Sequence, residues 1–298
     1  MAIPEDELTR MAQIGAQTTS RDTYATLKLA LEADGTGYSD RSYKIFLQGS
    51  YGNDTNIIKE SDVDVVIRLD SIFTYDLSVL PSQQQQAFRS SHGNATYTHD
   101  HFRNDVLAAL TARFGTHVHV GTKAVMIEPF HNRRKADVLI ATQHRKYNWY
   151  VSDREGEHDY VLGISFHKSD GTRVINYPWQ HRENLVTKNQ QTSEWFKHII
   201  RIFKNARQRM IELGHIKAGT APSYYLEGLL YNVPTNCFGD SYVDSMVKSI
   251  NWLLNADHSK FLCANEQYLL LDGNGDVTWN SPDCTAFMQG IVALWKGW

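Results

Sequence analysis

Cysteine is scarce in this chain. Its 298 residues hold three, Cys237, Cys263 and Cys284, an odd number, widely spaced and without a Cys-x-x-Cys pair. Such a set builds neither a disulfide framework nor a zinc finger, and a reducing compartment is expected. Long apolar runs are missing too, since none approaches the roughly 18 residues that cross a bilayer. The opening residues MAIPEDELTR are acidic and polar, unlike a secretory signal. A cytoplasmic protein with no membrane attachment is therefore predicted. Nor does one sign of charge dominate. The net charge of −3 gives no global basic field, which argues against a nucleic-acid coat protein and leaves only local basic faces.

What is present is ordinary globular composition, 42% hydrophobic and 21% charged, in a chain long enough for one large domain or two lobes sharing a cleft. Residues 5–33 read as helical, broken or kinked at Thr18–Arg21, with Gly35 and Gly37 as punctuation. Tyr43–Leu47 starts a strand. Residues 70–99, with the run Gln83–Gln86, read as loop and short helix. Asp105–Phe114 puts Val106, Leu107, Leu110 and Phe114 on one side of a helix that Gly115 ends. Thr116–Ile127 and Ala136–Ala141 read as strands, and His158–His167 with Thr172–Tyr177 as a hairpin.

After Pro178 the period becomes helical. Thr192 or Ser193 caps a helix reaching Leu213, with Phe196, Ile199, Ile200, Phe203, Ala206 and Met210 as its apolar face and Gly214 as its stop. Pro222 opens Ser223–Tyr231, and Tyr242–Leu254 and Asp283–Trp295 follow. The predicted fold is α/β (α+β) and two-lobed. Residues 1–178 form an N-terminal helix and a mixed-sheet core, and residues 179–298 form a helical lobe.

The stretch Phe46–Leu69, FLQGSYGNDTNIIKESDVDVVIRL, concentrates the chemistry. Asp62 and Asp64 are spaced i, i+2, so on a strand both carboxylates point the same way. Gly49 and Ser50 precede them by about a dozen residues. Glycine lets backbone approach a phosphate, and the hydroxyl and nearby N–H groups can donate to it. A polar edge strand with surface aspartates is the plain alternative. A phosphoryl-transfer site would want a third carboxylate from a neighbouring strand. Asp137, opening the apolar run ADVLIA, is the candidate, with a strand-start cap as its plain alternative. Three hard oxygen donors point to Mg²⁺ or Mn²⁺ rather than zinc. Two such ions would activate an attacking hydroxyl and stabilise a leaving pyrophosphate.

These motifs carry a resemblance. GSY, TNI, SDVDVV and, about 75 residues later, ADVLIA resemble the DNA polymerase β-type nucleotidyltransferase superfamily. Phe196–Lys204 (FKHIIRIFK) and Ala221–Tyr231 (APSYYLEGLLY) resemble the helical lobe of oligoadenylate synthases and cyclic GMP–AMP synthase. Together with Tyr177–His181 (YPWQH) and Lys188-Asn189, the combination is most similar to the bacterial CD-NTases, over about residues 40–255. The resemblance implies synthesis of a cyclic di- or trinucleotide second messenger from NTPs in CBASS anti-phage signalling. A product-sensing effector and regulatory partners would act beside the enzyme. It also implies that Lys204 neutralises a triphosphate, Ser223 bonds a phosphate oxygen and Tyr224 stacks on a base. Independently, Lys197, Arg201 and Lys204 fall on the helix face opposite the apolar one, and Ser223 and Tyr224 lie in a first turn whose free N–H groups attract anions. A solvated basic face and a core tyrosine are the plain alternatives.

The expectation is thus a Mg-dependent, ATP-binding nucleotidyltransferase with its site in the cleft. A transferase that extends RNA ends or modifies a small molecule or protein is the near rival, and a catalytically silent nucleotide-binding scaffold is the distant one. Other features attract weaker readings. Asp272–Asp276 mimics part of a calcium loop, but Val277 and Asp283 stand where glycine and glutamate are usual, and a turn is favoured. His99 with His101, and His117 with His119, have same-face strand spacing but no evident third ligand. Arg133–Lys135 reads as a solvated hairpin tip. The clustered zinc ligands that let the animal enzyme sense DNA have no counterpart, so nucleic-acid activation is not indicated.

Overall fold

The computed structural model describes residues 2–15, 17–59, 62–131, 133–273 and 275–298; Met1, Ala16, Glu60, Ser61, Asn132 and Asn274, which fall in stretches quoted above, lie outside it. The strands are β1 (Tyr43–Gln48), β2 (Val63–Asp76), β3 (Val118–Val120), β4 (Val125–Ile127), β5 (Ala136–Tyr150), β6 (His158–His167) and β7 (Arg173–Asn176). The helices are α1 (Glu5–Met11), α2 (Thr18–Leu31), α3 (Gly49–Gly52), α4 (Ser82–Ser91), α5 (His99–Phe114), α6 (Pro178–Gln191), α7 (Trp195–Glu212), α8 (Ser223–Asn232), α9 (Tyr242–Asn255) and α10 (Ser281–Gly297). No helix among the described residues is long and apolar enough to cross a membrane.

The chain forms two compact units, 18–48 with 62–178, and 1–17 with 49–61 and 179–298. The division is not one cut at 178, because two early segments belong with the late helices. The reason lies in packing. Leu8 and Met11 of α1 are buried in the helical core, and the Gly15 N–H donates to the Asn56 carbonyl at 3.0 Å.

Among the described residues, the sheet unit holds seven strands in the order β1-β2-β5-β4-β3, with β6 on β5 and β7 on β6. β2 and β5 run parallel, and the other pairs are antiparallel. Val63, Val65, Val66 and Ile67 are all buried, so β2 is covered on both faces and reads as a continuous apolar run. β2 and β5 extend past their predicted ends. α5 starts at His99 rather than Asp105 because Thr98 caps it: its hydroxyl accepts from the His101 N–H, and the His101 ring accepts from the Thr98 N–H, each at 3.3 Å. His99 and His101 therefore lie on a helix, not a strand.

The helical unit is organised around α7. All six residues of its predicted apolar face are buried, the five larger ones each worth about 1.5–3 kcal/mol against exposure. The N-cap is Glu194, at φ +70, rather than Thr192 or Ser193, while the Thr192 hydroxyl accepts from the Phe196 N–H at 3.1 Å. Gly214 ends it at φ +72, and the His215 N–H closes back on the Met210 carbonyl at 2.8 Å. Helix α6 is absent from the sequence reading. The three cysteines are free and buried.

Candidate functional site

The strand pair β2–β5 carries the acids. Parallel pairing sets Asp64 directly opposite Asp137, and residues in register share a face. Asp62, two residues before Asp64, belongs to that face by the same period. The Val63 N–H donates to the Lys135 carbonyl at 3.0 Å, carrying the pairing one step further, to Lys135 beside Asp62. The Lys135 ammonium is 2.6 Å from Asp62 Oδ2 and 3.8 Å from Asp137 Oδ2. Burial pushes the Asp137 carboxyl above its usual range; Lys135 pulls it back and the Asp62 charge adds to the rise. The hydrogen bond to Asp62 holds the Lys135 ammonium above its own usual range, against the effect of burial.

These observations test the fit of a cation. Carboxylates that share a face repel, and an ammonium already sits between two of them. The donors are hard oxygens of the kind that hold a divalent cation, although among the described residues the three carboxylates do not close into one cluster of ligand atoms. Lys135 was legible only as part of a basic turn, yet its i, i+2 spacing from Asp137 placed it on the acid face.

The remaining candidates lie in the helical unit. Gly49 has φ +65, a conformation costly for other residues, and opens α3. Ser50 is buried, and its carbonyl accepts from the Thr55 N–H at 2.9 Å. The next turn leads into a buried polar knot centred on Glu227 of α8. Glu227 Oε1 accepts from Lys204 Nζ at 2.9 Å and from the Thr55 hydroxyl. Its Oε2 accepts from Asn53 Nδ2 at 2.9 Å and His181 Nε2 at 2.8 Å. Lys204 also donates to Thr55 Oγ1 at 3.0 Å. Burial alone would raise the Glu227 carboxyl. The Lys204 charge, the His181 bond and charge, and the Thr55 bond more than offset that and hold it well below the carboxylate range.

Lys197, Arg201 and Lys204, placed by their spacing opposite the apolar face, are all buried, Lys204 to 0% exposure, so neither an open phosphate-facing surface nor a solvated basic face describes them. Arg201 is spent on main chain, donating to the carbonyls of Ala12 and Asp54. Helix α7 is enclosed around most of its circumference, so its basic side chains find partners within the unit. Ser223, half-buried at the start of α8, accepts from Arg207 Nη1 at 3.2 Å. The Tyr224 ring stacks on His181, centroids 4.6 Å apart and planes 17° apart, while its hydroxyl accepts from Asn265 Nδ2 at 3.0 Å. Sequence reasoning missed Glu227, His181, Thr55 and Asn53. The available signal was an acid inside the apolar run LEGLL, which cannot be buried without partners.

Three comparisons bear on this arrangement. Residues 183–296 match the family described as the cGAS/DncV-like nucleotidyltransferase C-terminal helical domain. The chain is 40% identical to the cyclic UMP-AMP synthase of Rhodothermus marinus, over all of this chain and 99% of that one. The structure of that CdnE synthase with Apcpp and Upnpp superposes at a TM-score of 0.87, covering 99% and 97% of the two chains. The cyclic nucleotide synthase CdnE01 of Staphylococcus haemolyticus is 34% identical over the whole of both chains. The CdnE cyclic dinucleotide synthase of Elizabethkingia meningoseptica, solved with GTP and Apcpp, is 27% identical with a TM-score of 0.76 over 99% of this chain and 100% of that one.

Proposed function

The chain belongs to the bacterial CD-NTase family of cGAS/DncV-like nucleotidyltransferases, and on that premise we propose that it condenses NTPs into a cyclic di- or trinucleotide with release of pyrophosphate. The observation that carries the reading is the register of Asp64 against Asp137, with Asp62 and Lys135 beside them. A ribose hydroxyl oxygen attacks the α-phosphorus of a second NTP, the bond to pyrophosphate breaks, and a second attack closes the ring. Bound Mg²⁺ or Mn²⁺ would supply charge neutralisation and activation of the hydroxyl. Asp62 and Asp64 would hold both ions. Asp137 would hold the one on the hydroxyl side and help take its proton.

Gly49 and Ser50 would meet the phosphate tail, with Ser223 donating to a phosphate oxygen and Tyr224 beneath a base. Buried Lys204 and Arg201 are assigned to positioning: Lys204 through Glu227 and Thr55, and Arg201 through the Asp54 carbonyl, each bracing the segment that follows Gly49 and Ser50. In the cell the enzyme would be cytoplasmic, and its product would be read by an effector protein in anti-phage defence.

The test is a nucleotide mixture. Purified protein is incubated with ATP, GTP, CTP and UTP plus Mg²⁺ or Mn²⁺, and phosphatase-resistant products are resolved by mass spectrometry. The R. marinus relative makes ATP with UTP the first pair to try. Cyclic products that vanish in Asp62→Asn support the reading, whereas linear tails on added RNA alone would overturn it.

A further inference from the structure

We propose that His99, His167 and Asp100 form a binding site for a transition-metal dication of the Zn²⁺ class, separate from the carboxylates of β2 and β5. His99 and Asp100 open α5, and His167 ends β6. The ligand atoms all lie within 4.8 Å of one another, and this is the group of metal-binding character that the described residues present. His99 Nδ1 is 3.2 Å from His167 Nδ1 and 3.4 Å from Asp100 Oδ1. Two donors on one tetrahedral zinc, at about 2.0–2.1 Å each, stand roughly 3.3–3.4 Å apart.

The tautomer of His99 strengthens the case. Its Nε2 lies 3.3 Å from the Ile140 carbonyl, which can only accept, so Nε2 carries the proton. His99 Nδ1 is then the ring atom turned toward Asp100 Oδ1, with His167 Nδ1 alongside. A backbone carbonyl behind a ligating imidazole is also the usual outer support of a zinc site.

A small cavity of about 10 Å³, room for about one water or ion, is lined by His99, His167, Val138 and Ile140. Val138 and Ile140 alternate with Asp137 along β5, so this cavity lies on the opposite face of the sheet from the acids. Arg103 and Lys123 also line it, so a cation held there must gain enough from its bonds to imidazole nitrogen to offset their repulsion. The metal would tie α5 to the β6–β7 hairpin, two segments 68 residues apart at the His99–His167 contact.

The test titrates the whole chain with Co²⁺ and Zn²⁺ in excess Mg²⁺, which keeps the carboxylate face occupied. The expected result is one Co²⁺ per chain with the visible bands of a tetrahedral ion, displaced by Zn²⁺, and a rise in Tm with Zn²⁺. His167→Gln should abolish the bands and the Tm rise. Asp100→Asn, at an 85% exposed side chain that folding does not need, should weaken Zn²⁺ by at least about 10-fold. Octahedral Co²⁺ spectra, no uptake in excess Mg²⁺, or unchanged affinity in both variants would overturn the assignment.

Discussion

Glu227 Oε1 and Lys204 Nζ meet at 2.9 Å with side chains 2% and 0% exposed. A charge pair so far from water survives because its other positions are filled: Thr55 receives the second Lys204 bond, and Asn53 and His181 fill Glu227 Oε2. Removing one partner strands the other. Glu227→Gln or Lys204→Met alone should cost about 3–5 kcal/mol in denaturant unfolding, and Glu227→Gln with Lys204→Met much less than the sum of the two. Additive losses would refute the coupling.

The same carboxylate sets a pH signature. Its value in the folded state is depressed below the ordinary 4.5. Its contribution is therefore complete above that pH and is lost as pH falls below it toward the folded value. Stability curves of the wild type and Glu227→Gln should be separated at neutral pH and converge below about pH 4.5. A gap that stays constant into acid would assign the stability to something other than this ionisation.

Asp62→Asn, Asp64→Asn and Asp137→Asn should each lower pyrophosphate release by on the order of 100-fold or more, beyond what loss of an outer support costs. Circular dichroism and Tm should change little, because Asp62 and Asp137 sit at a partly exposed strand start rather than in the core. Normal turnover in any of the three would remove that carboxylate from the site.

What was legible in the sequence followed from periodicity and punctuation. The apolar face of α7 and the glycine that ends it depend on local pattern, and the structure reproduces them. Helix α6 was invisible because its buried positions include His181, Lys188 and Asn189, which no hydrophobic period reveals. The basic residues of α7 misled for the converse reason. Lys204 has the spacing of a solvent face, and only the fold supplies the Glu227 that buries it. Cross-strand partners such as Lys135 and Asp62 depend on register, which one strand's sequence does not contain.

Lys135 should tune the metal requirement. Its ammonium occupies the carboxylates that a cation would use and repels any cation nearby, so both effects act in one direction. Lys135→Met should lower the half-saturating Mg²⁺ concentration for turnover by about 2–5-fold, the equivalent of roughly 0.5–1 kcal/mol between partly exposed charges. A higher requirement would mean that Lys135 assists binding through the substrate instead.

Tyr224 separates two roles of one ring. One side stacks on His181, whose Nε2 is fixed by Glu227, and the hydroxyl accepts from Asn265. Tyr224→Phe keeps the ring and loses one hydrogen bond, about 1 kcal/mol. Tyr224→Ala loses the platform, and base–aromatic stacking is worth about 1–3 kcal/mol. If the ring carries a base, the alanine variant should raise KM for NTP by roughly 5–150-fold, with the phenylalanine variant near wild type in KM and slightly less stable. If its work is purely structural, both variants should lose Tm in proportion to contacts removed, and KM should stay put in whatever fraction remains folded.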